Sequence, residues 1–194
     1  MRGIDRFRIL YVCTGNVCRS PAAERLTLAW LAEHLGDDAR AFEVASAGTH
    51  GLIGHAMDDD AARALEKHGG SPEGFTARVM EPYLVESSDL VVGLARAHRA
   101  AAARMAPAAM RRAFTLRELD RLAQATEAMP PGGSVTERAR KFVDQAASLR
   151  GTLPRVSAED DDVADPIGRP PEVHIEVTDQ IAETVQRVMT CLTS

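Results

Sequence analysis

The chain has 194 residues, 45% hydrophobic and 26% charged, with 23 basic against 28 acidic side chains and a formal charge of -5. That length and apolar content fit one ordinary core, so residues 1–194 are expected to form a single domain. The acidic balance argues against non-specific binding to nucleic acid or an anionic membrane, while leaving room for a local anion site.

No run of 18 apolar residues occurs, and the amino terminus leads into strand-like sequence without a signal-peptide pattern. Three cysteines do not make a disulfide framework, and a reducing, cytoplasmic setting is expected. Along the chain, "FRILYVC" (Phe7–Cys13) is an apolar run of strand length, suited to a buried parallel strand. Ser20 is a good helix N-cap and Pro21 fits a first helical turn. "AAERLTLAWLAEHLG" then has helical spacing and a terminal glycine. "AFEVASAG" (Ala41–Gly48) reads as a second strand. "MDDDAARALEKHGG" has an acidic first turn, a helical body and a Gly-Gly stop. "SSDLVVGL" (Ser87–Leu94) is another buried strand, followed by the helix "ARAHRAAAARM". "RAFTL" (Arg112–Leu116) is a short strand before the helix "RELDRLAQ". "EAMPPGGS" (Glu127–Ser134) reads as a loop and "VTERARKFVDQAASLRG" as a helix. Ser157–Pro171 reads as a loop, and "EVHIEVTDQIAETVQRVMTCL" as a closing helix. Alternating strands and helices predict an α/β domain with a mostly parallel sheet. An extended segment over about residues 120–160 exceeds what that alternation needs, and its role stays open between a partner surface and a cover for the site.

The chemistry gathers in Cys13–Arg19. Ligands of open α/β sheets bind outside the carboxyl ends of strands, where loops lead into helix N-termini. Thr14, Gly15 and Asn16 are small or turn-forming, so their backbone N–H groups can curl inward as an anion nest, with the helix dipole behind it. A cysteine in that field is favoured as thiolate, its reactive form. Arg19 carries a rigid fork suited to phosphate oxygens. Nucleophile, cradle and guanidinium together describe phosphoryl transfer through a cysteinyl-phosphate. Taken singly, Cys13 also reads as an inert thiol closing a strand and Arg19 as a solvated helix residue. A nucleotide-binding loop of the type G-x-x-x-x-G-K-[ST] is absent. The six histidines, among them His50, His98 and His174, lack metal-ligand spacing, so neither metal nor cofactor is expected.

"VCTGNVCRSPAAE" closely resembles the signature of the low-molecular-weight protein tyrosine phosphatases. The likeness continues in "SAGT" (Ser46–Thr49), "SSDLVVGL", "FTLRE" (Phe114–Glu118) and "DVADP" (Asp162–Pro166), in the family's order. The resemblance implies a central four-stranded parallel sheet flanked by helices. It also implies Cys13 as nucleophile and Arg19 as the residue binding the phosphoryl group. Asn16 would hold the loop through Ser46, and Ser20 would donate to the thiolate. Asp165 would act first as general acid and then as base; by itself it also reads as an Asp-Pro turn initiator. Asp160, Asp161 and Asp162 read as solvated loop charges. Cys18 is either a small packing residue or a redox partner of Cys13, as known in the family. Cys191 reads as core.

Phosphotyrosine enzymes of this family flank the pocket with aromatic rings. Here the corresponding segments, "HGLIGHAMD" and "DPIGRPP", offer Leu52, Ile53 and Ile167, with His50 the only planar side chain. Their spacing is closer to the bacterial protein arginine phosphatases, in which a threonine stands where this chain has Val17; tyrosine phosphatases prefer a bulkier aliphatic there. The expected partner is a phosphorylated protein, carrying phosphotyrosine or phosphoarginine, or a small phosphorylated substrate, with inorganic phosphate as product. Thioredoxin-coupled arsenate reductases share the loop but need two further cysteines in mid-chain, which are absent between Arg19 and Thr190. A phosphate-binding protein without turnover is a different class, for which neither thiolate nor acid is needed.

Overall fold

The seven apolar-rich residues Phe7–Cys13 form the central strand β1 of a computed structural model that describes residues 5–126, 132–154 and 156–194. β1 pairs with β2 (Phe42–Gly48) on one side and β3 (Leu90–Gly93) on the other. β4 (Ala113–Thr115) adds beyond β3, giving an all-parallel sheet of order β2-β1-β3-β4. Successive strand residues face opposite sides. Phe7, Ile9, Tyr11 and Cys13 share one core with Leu90, Val92 and Phe114. Leu10, Val12, Val91 and Ala113 belong to a second, smaller one.

The larger core is covered by α1 (Arg19–His34), α2 (Asp59–Glu66), α5 (Leu116–Ala125), α6 (Val135–Leu149) and α8 (Pro171–Thr193), with α8 packed against the other four. The smaller core lies under α3 (Pro82–Glu86) and α4 (Arg96–Met105). The sequence reading did not foresee α3 or the two 3-10 turns Gly36–Ala41 and Pro107–Arg112; all three are too short for apolar periodicity to reveal. The loop reading of Glu127–Ser134 falls mostly outside the described residues.

Two expectations need correction. Ser20 is not the cap of α1: Cys18 holds the N-cap position, without a side-chain cap bond, and Ser20 lies one residue inside the helix. Its hydroxyl is drawn to the loop instead. The acidic stretch after Ser157 is solvated loop only in part. It contains the one-turn helix α7 (Ala158–Asp161); Asp160 is exposed, while Asp161 and Asp162 are half-buried and held. Asp161 pairs with Arg121, Asp162 accepts from the backbone N–H of Arg96 at 2.7 Å, and Asp160 closes a capping box with Ser157. Within the extended segment, α6 contributes to the core. α6 opens with the capping box Ser134–Glu137 and buries Val135, Ala139, Phe142, Val143 and Ala146.

Candidate active site

The loop Cys13–Arg19 is shaped by what its carbonyls do. The carbonyls of Cys13, Thr14 and Gly15 accept from the backbone N–H groups of Thr49, His50 and Leu52, each at 2.9 Å. The carbonyl of Val17 accepts from the Asp58 N–H at the same distance. With those carbonyls bonded to neighbouring segments, the loop N–H groups are left available for an anion beside Cys13 Sγ. Gly48 permits the strap to approach: a Cβ there would lie 2.4 Å from the Thr14 carbonyl oxygen. Asn16 has φ 56°, the left-handed conformation that asparagine tolerates better than most residues.

Cys13 is buried at the end of β1, and its Sγ lies 2.9 Å from Ser20 Oγ and 3.3 Å from the Asn16 N–H that donates to it. The direction of the surrounding bonds follows from a carboxylate. Ser46 donates its hydroxyl to Glu24 Oε2 at 2.6 Å. Asn16 Nδ2 donates both protons, to Ser46 Oγ at 2.8 Å and to Ser20 Oγ at 2.9 Å. Ser20 Oγ therefore accepts from Asn16, and its one proton faces two acceptors, Sγ at 2.9 Å and the Ala47 carbonyl at 3.4 Å, of which the sulfur is the nearer. Asn16 Oδ1 in turn accepts from the Arg78 N–H at 2.9 Å, so the amide is held at both ends. Burial pushes the Glu24 carboxyl above the ordinary range, against the Ser46 hydrogen bond that favours its charge. Glu24 and Arg78 were not assigned roles from sequence; Glu24 stood in the quoted motif with its helical spacing as the sole signal.

Arg19 is buried in the first turn of α1. Its Nη1 donates to the Val163 carbonyl at 3.1 Å, and its Nη2 donates to Asp165 Oδ2 at 2.5 Å. The segment carrying Asp165 is fastened to the sheet, because the Val163 N–H donates to the Leu94 carbonyl at 2.8 Å, just past β3. Asp165 is half exposed, at the mouth of a cavity of about 200 Å³ whose lining includes Cys13, Arg19, Val17, Leu52, His50 and Ile167. Leu52 and Ile167 make an exposed aliphatic rim, whereas Val17 is buried against the loop. His50 stands exposed at that rim with its Nδ1 3.3 Å from Thr49 Oγ1.

His98 is a residue that sequence spacing did not single out. It lies in the first turn of α4, buried, with Nε2 hydrogen-bonded to Thr14 Oγ1 at 3.0 Å. Burial, reinforced by the Arg19 charge, pulls it down to about 4, so it is neutral near pH 7. Cys18 is buried in the loop, and desolvation followed by the Asp58 charge pushes its thiol well above the ordinary range. Cys191 is partly buried against the larger core. Among the described residues, no helix is long and apolar enough to cross a membrane.

This set of groups can hold a tetrahedral oxyanion against a nucleophilic sulfur, with a carboxyl group at the open side. Residues 8–131 match the family model "Low molecular weight phosphotyrosine protein phosphatase". Among curated proteins, the chain is similar to the low molecular weight protein-tyrosine-phosphatase Etp of Escherichia coli K12, 38% identical over 99 residues. That match spans 51% of this chain and 62% of the relative, so less than two thirds of the relative's length is covered. The fold is similar to that of the Erwinia amylovora tyrosine phosphatase AmsI, with a TM-score of 0.68, 21% identity, and coverage of 100% of this chain and 98% of the other. The YwlE arginine phosphatase from Geobacillus stearothermophilus is similar too, with a TM-score of 0.66, 23% identity, and 95% and 91% coverage. Asp165 and α8 lie beyond the residues that the family model matches.

Proposed function

The chain belongs to the low-molecular-weight phosphotyrosine protein phosphatase family, and from that premise we propose that it hydrolyses phosphotyrosine in proteins through a cysteinyl-phosphate. The observation that carries this reading is one constellation: Cys13 Sγ beside the loop's N–H groups, with the Arg19 fork joined to Asp165 at 2.5 Å.

The phosphoryl group sits in the cradle, its oxygens held by loop N–H groups and the Arg19 guanidinium. Cys13 thiolate, stabilised by Ser20, attacks phosphorus as the P–O bond to the tyrosyl oxygen breaks. Asp165 gives that oxygen its proton. A water then attacks the cysteinyl-phosphate, losing a proton to the Asp165 carboxylate as the S–P bond breaks, and inorganic phosphate leaves. The dianion competes for Arg19 Nη2, which frees Asp165 to turn toward the leaving group. Residues 1–194 act as one phosphatase domain, in a reducing cytoplasmic setting where Cys13 stays a thiol.

The aliphatic rim favours a second reading, a phosphoarginine or small-metabolite substrate, because Leu52 and Ile167 give a tyrosyl ring no aromatic face to stack on. Matched phosphotyrosine and phosphoarginine peptides, assayed with the parent protein and with Val17→Thr, separate the two. The phosphotyrosine reading predicts the higher kcat/KM for phosphotyrosine in the parent protein; a preference for phosphoarginine replaces it. Cys13→Ser abolishes turnover of either peptide, and Asp165→Asn lowers kcat by about 10²- to 10⁴-fold. Residual turnover in purified Cys13→Ser at the parent's rate sinks the mechanism.

A further inference from the structure

Three elements remote in sequence bring a thiol, a carboxylate and an imidazole together beside the loop. Cys18 comes from the N-cap of α1, Asp58 from the N-cap of α2, and His174 from the first turn of α8. The ligand atoms of the three lie within 4.8 Å of one another. Cys18 and His174 are 4% and 2% exposed, and Asp58 is partly exposed. His174 Nδ1 is buried and makes no hydrogen bond, although Asp58 Oδ1 is 3.4 Å away. That oxygen is already turned to the N–H groups of Asp60 and Ala61, at 3.0 and 3.1 Å. Among the described residues nothing satisfies the imidazole nitrogen, and a buried polar atom left unpaired costs about 1–3 kcal/mol.

We propose that Cys18, Asp58 and His174 bind one divalent cation of the zinc class. One sulfur, one nitrogen and one oxygen donor suit a borderline-soft ion and disfavour magnesium or calcium, which take oxygen ligands. With metal–ligand distances of about 2.0–2.3 Å, tetrahedral donors stand about 3.3–3.7 Å apart, so the His174–Asp58 pair already has the spacing of one edge. On binding, the Cys18 S–H bond breaks, its proton leaves to water, and the thiolate bonds to the ion; no electron is transferred. Water completes the fourth position from the Asp58 side. The backbone N–H of Asp58 holds the Val17 carbonyl at 2.9 Å, so an occupied site would also fix the exit of the loop. The histidines are scattered in sequence without metal-ligand spacing, and 156 and 116 residues separate His174 from Cys18 and Asp58; the three-helix convergence removes that distance.

The test uses the full chain carrying Cys13→Ser and Cys191→Ser, in which Cys18 is the sole thiol. Titration with Co²⁺ is expected to give a thiolate-to-cobalt charge-transfer band saturating at one equivalent, and Zn²⁺ to displace it. Adding Cys18→Ser removes the band, and adding His174→Gln weakens Co²⁺ binding at least tenfold. Absence of the band, or its persistence with Cys18→Ser, overturns the proposal. Should a ligand variant fail to fold, X-ray absorption of the zinc-loaded parent of this series decides: a shell containing one sulfur and imidazole supports the site, and a shell of oxygen and nitrogen without sulfur overturns it. Neither readout depends on phosphatase turnover.

Discussion

At the scale of single residues, the loop's chemistry rests on side chains that never meet a phosphate. Ser46 receives its orientation from Glu24 and passes it through Asn16 to Ser20, whose proton then lies nearer Cys13 than its other acceptor, the Ala47 carbonyl. Ser46→Ala leaves Asn16 Nδ2 and Glu24 with unmet polar atoms, at a cost of about 1–3 kcal/mol. The expected outcome is a lower melting temperature together with slower alkylation of Cys13 at a fixed pH; unchanged alkylation would show that the relay does not reach the sulfur. His98 makes a pH-dependent contribution of known sign. Its folded value of about 4 lies below the 6.5 of an ordinary histidine, so the unfolded chain takes up the proton first as pH falls. The stability is fully present above about pH 6.5 and is lost as pH drops toward 4, by up to about 3 kcal/mol. Urea melts between pH 4 and 7 should show that decline, and His98→Leu should flatten it.

At the scale of elements, much was legible because each strand carries an apolar run and each long helix a recognisable start. Phe7–Cys13, Val135–Leu149 and the final helix were readable from apolar runs and spacing. The gathering of Cys13, Asn16 and Arg19 in one loop was readable because a strand, a small-residue loop and a helix start occur in one stretch. Ser20 misled, because serine before a proline favours an N-cap, whereas the loop's sulfur and amide claim its hydroxyl first. His98, Glu24 and the partners of His174 were hidden for a different reason: only tertiary packing brings them near the loop. α6 shows how the segment of uncertain purpose behaves. It buries Phe142 completely against the larger core, so Phe142→Ala should cost about 3–5 kcal/mol. A denaturation midpoint unchanged from the parent would mean that the segment is an appendage.

At the scale of the whole molecule, the loop joins the central strand to a helix packed on α8, and anything that binds it stabilises the fold. Phosphate at a hundred times its dissociation constant adds about 2.7 kcal/mol. For a chain of this size that raises the melting temperature by about 5–10 °C. Arg19→Ala should remove most of the rise, while Cys13→Ser should keep it, because in the proposed mechanism the sulfur attacks phosphorus and is not the main anion ligand. A rise that survives Arg19→Ala would place the phosphate elsewhere.

The outward-turned carbonyls of Cys13, Thr14, Gly15 and Val17 have one further consequence. Beside the Arg19 charge, a share of the positive potential at the centre of the ring belongs to peptide dipoles, so that share is written in the main chain and is invisible to an alanine scan. Trimming Thr14 or Val17 would alter contacts at the rim yet leave that potential standing. A change that removes a main-chain hydrogen, as proline does, or that releases the strap at Gly48, is what would switch off the main-chain share.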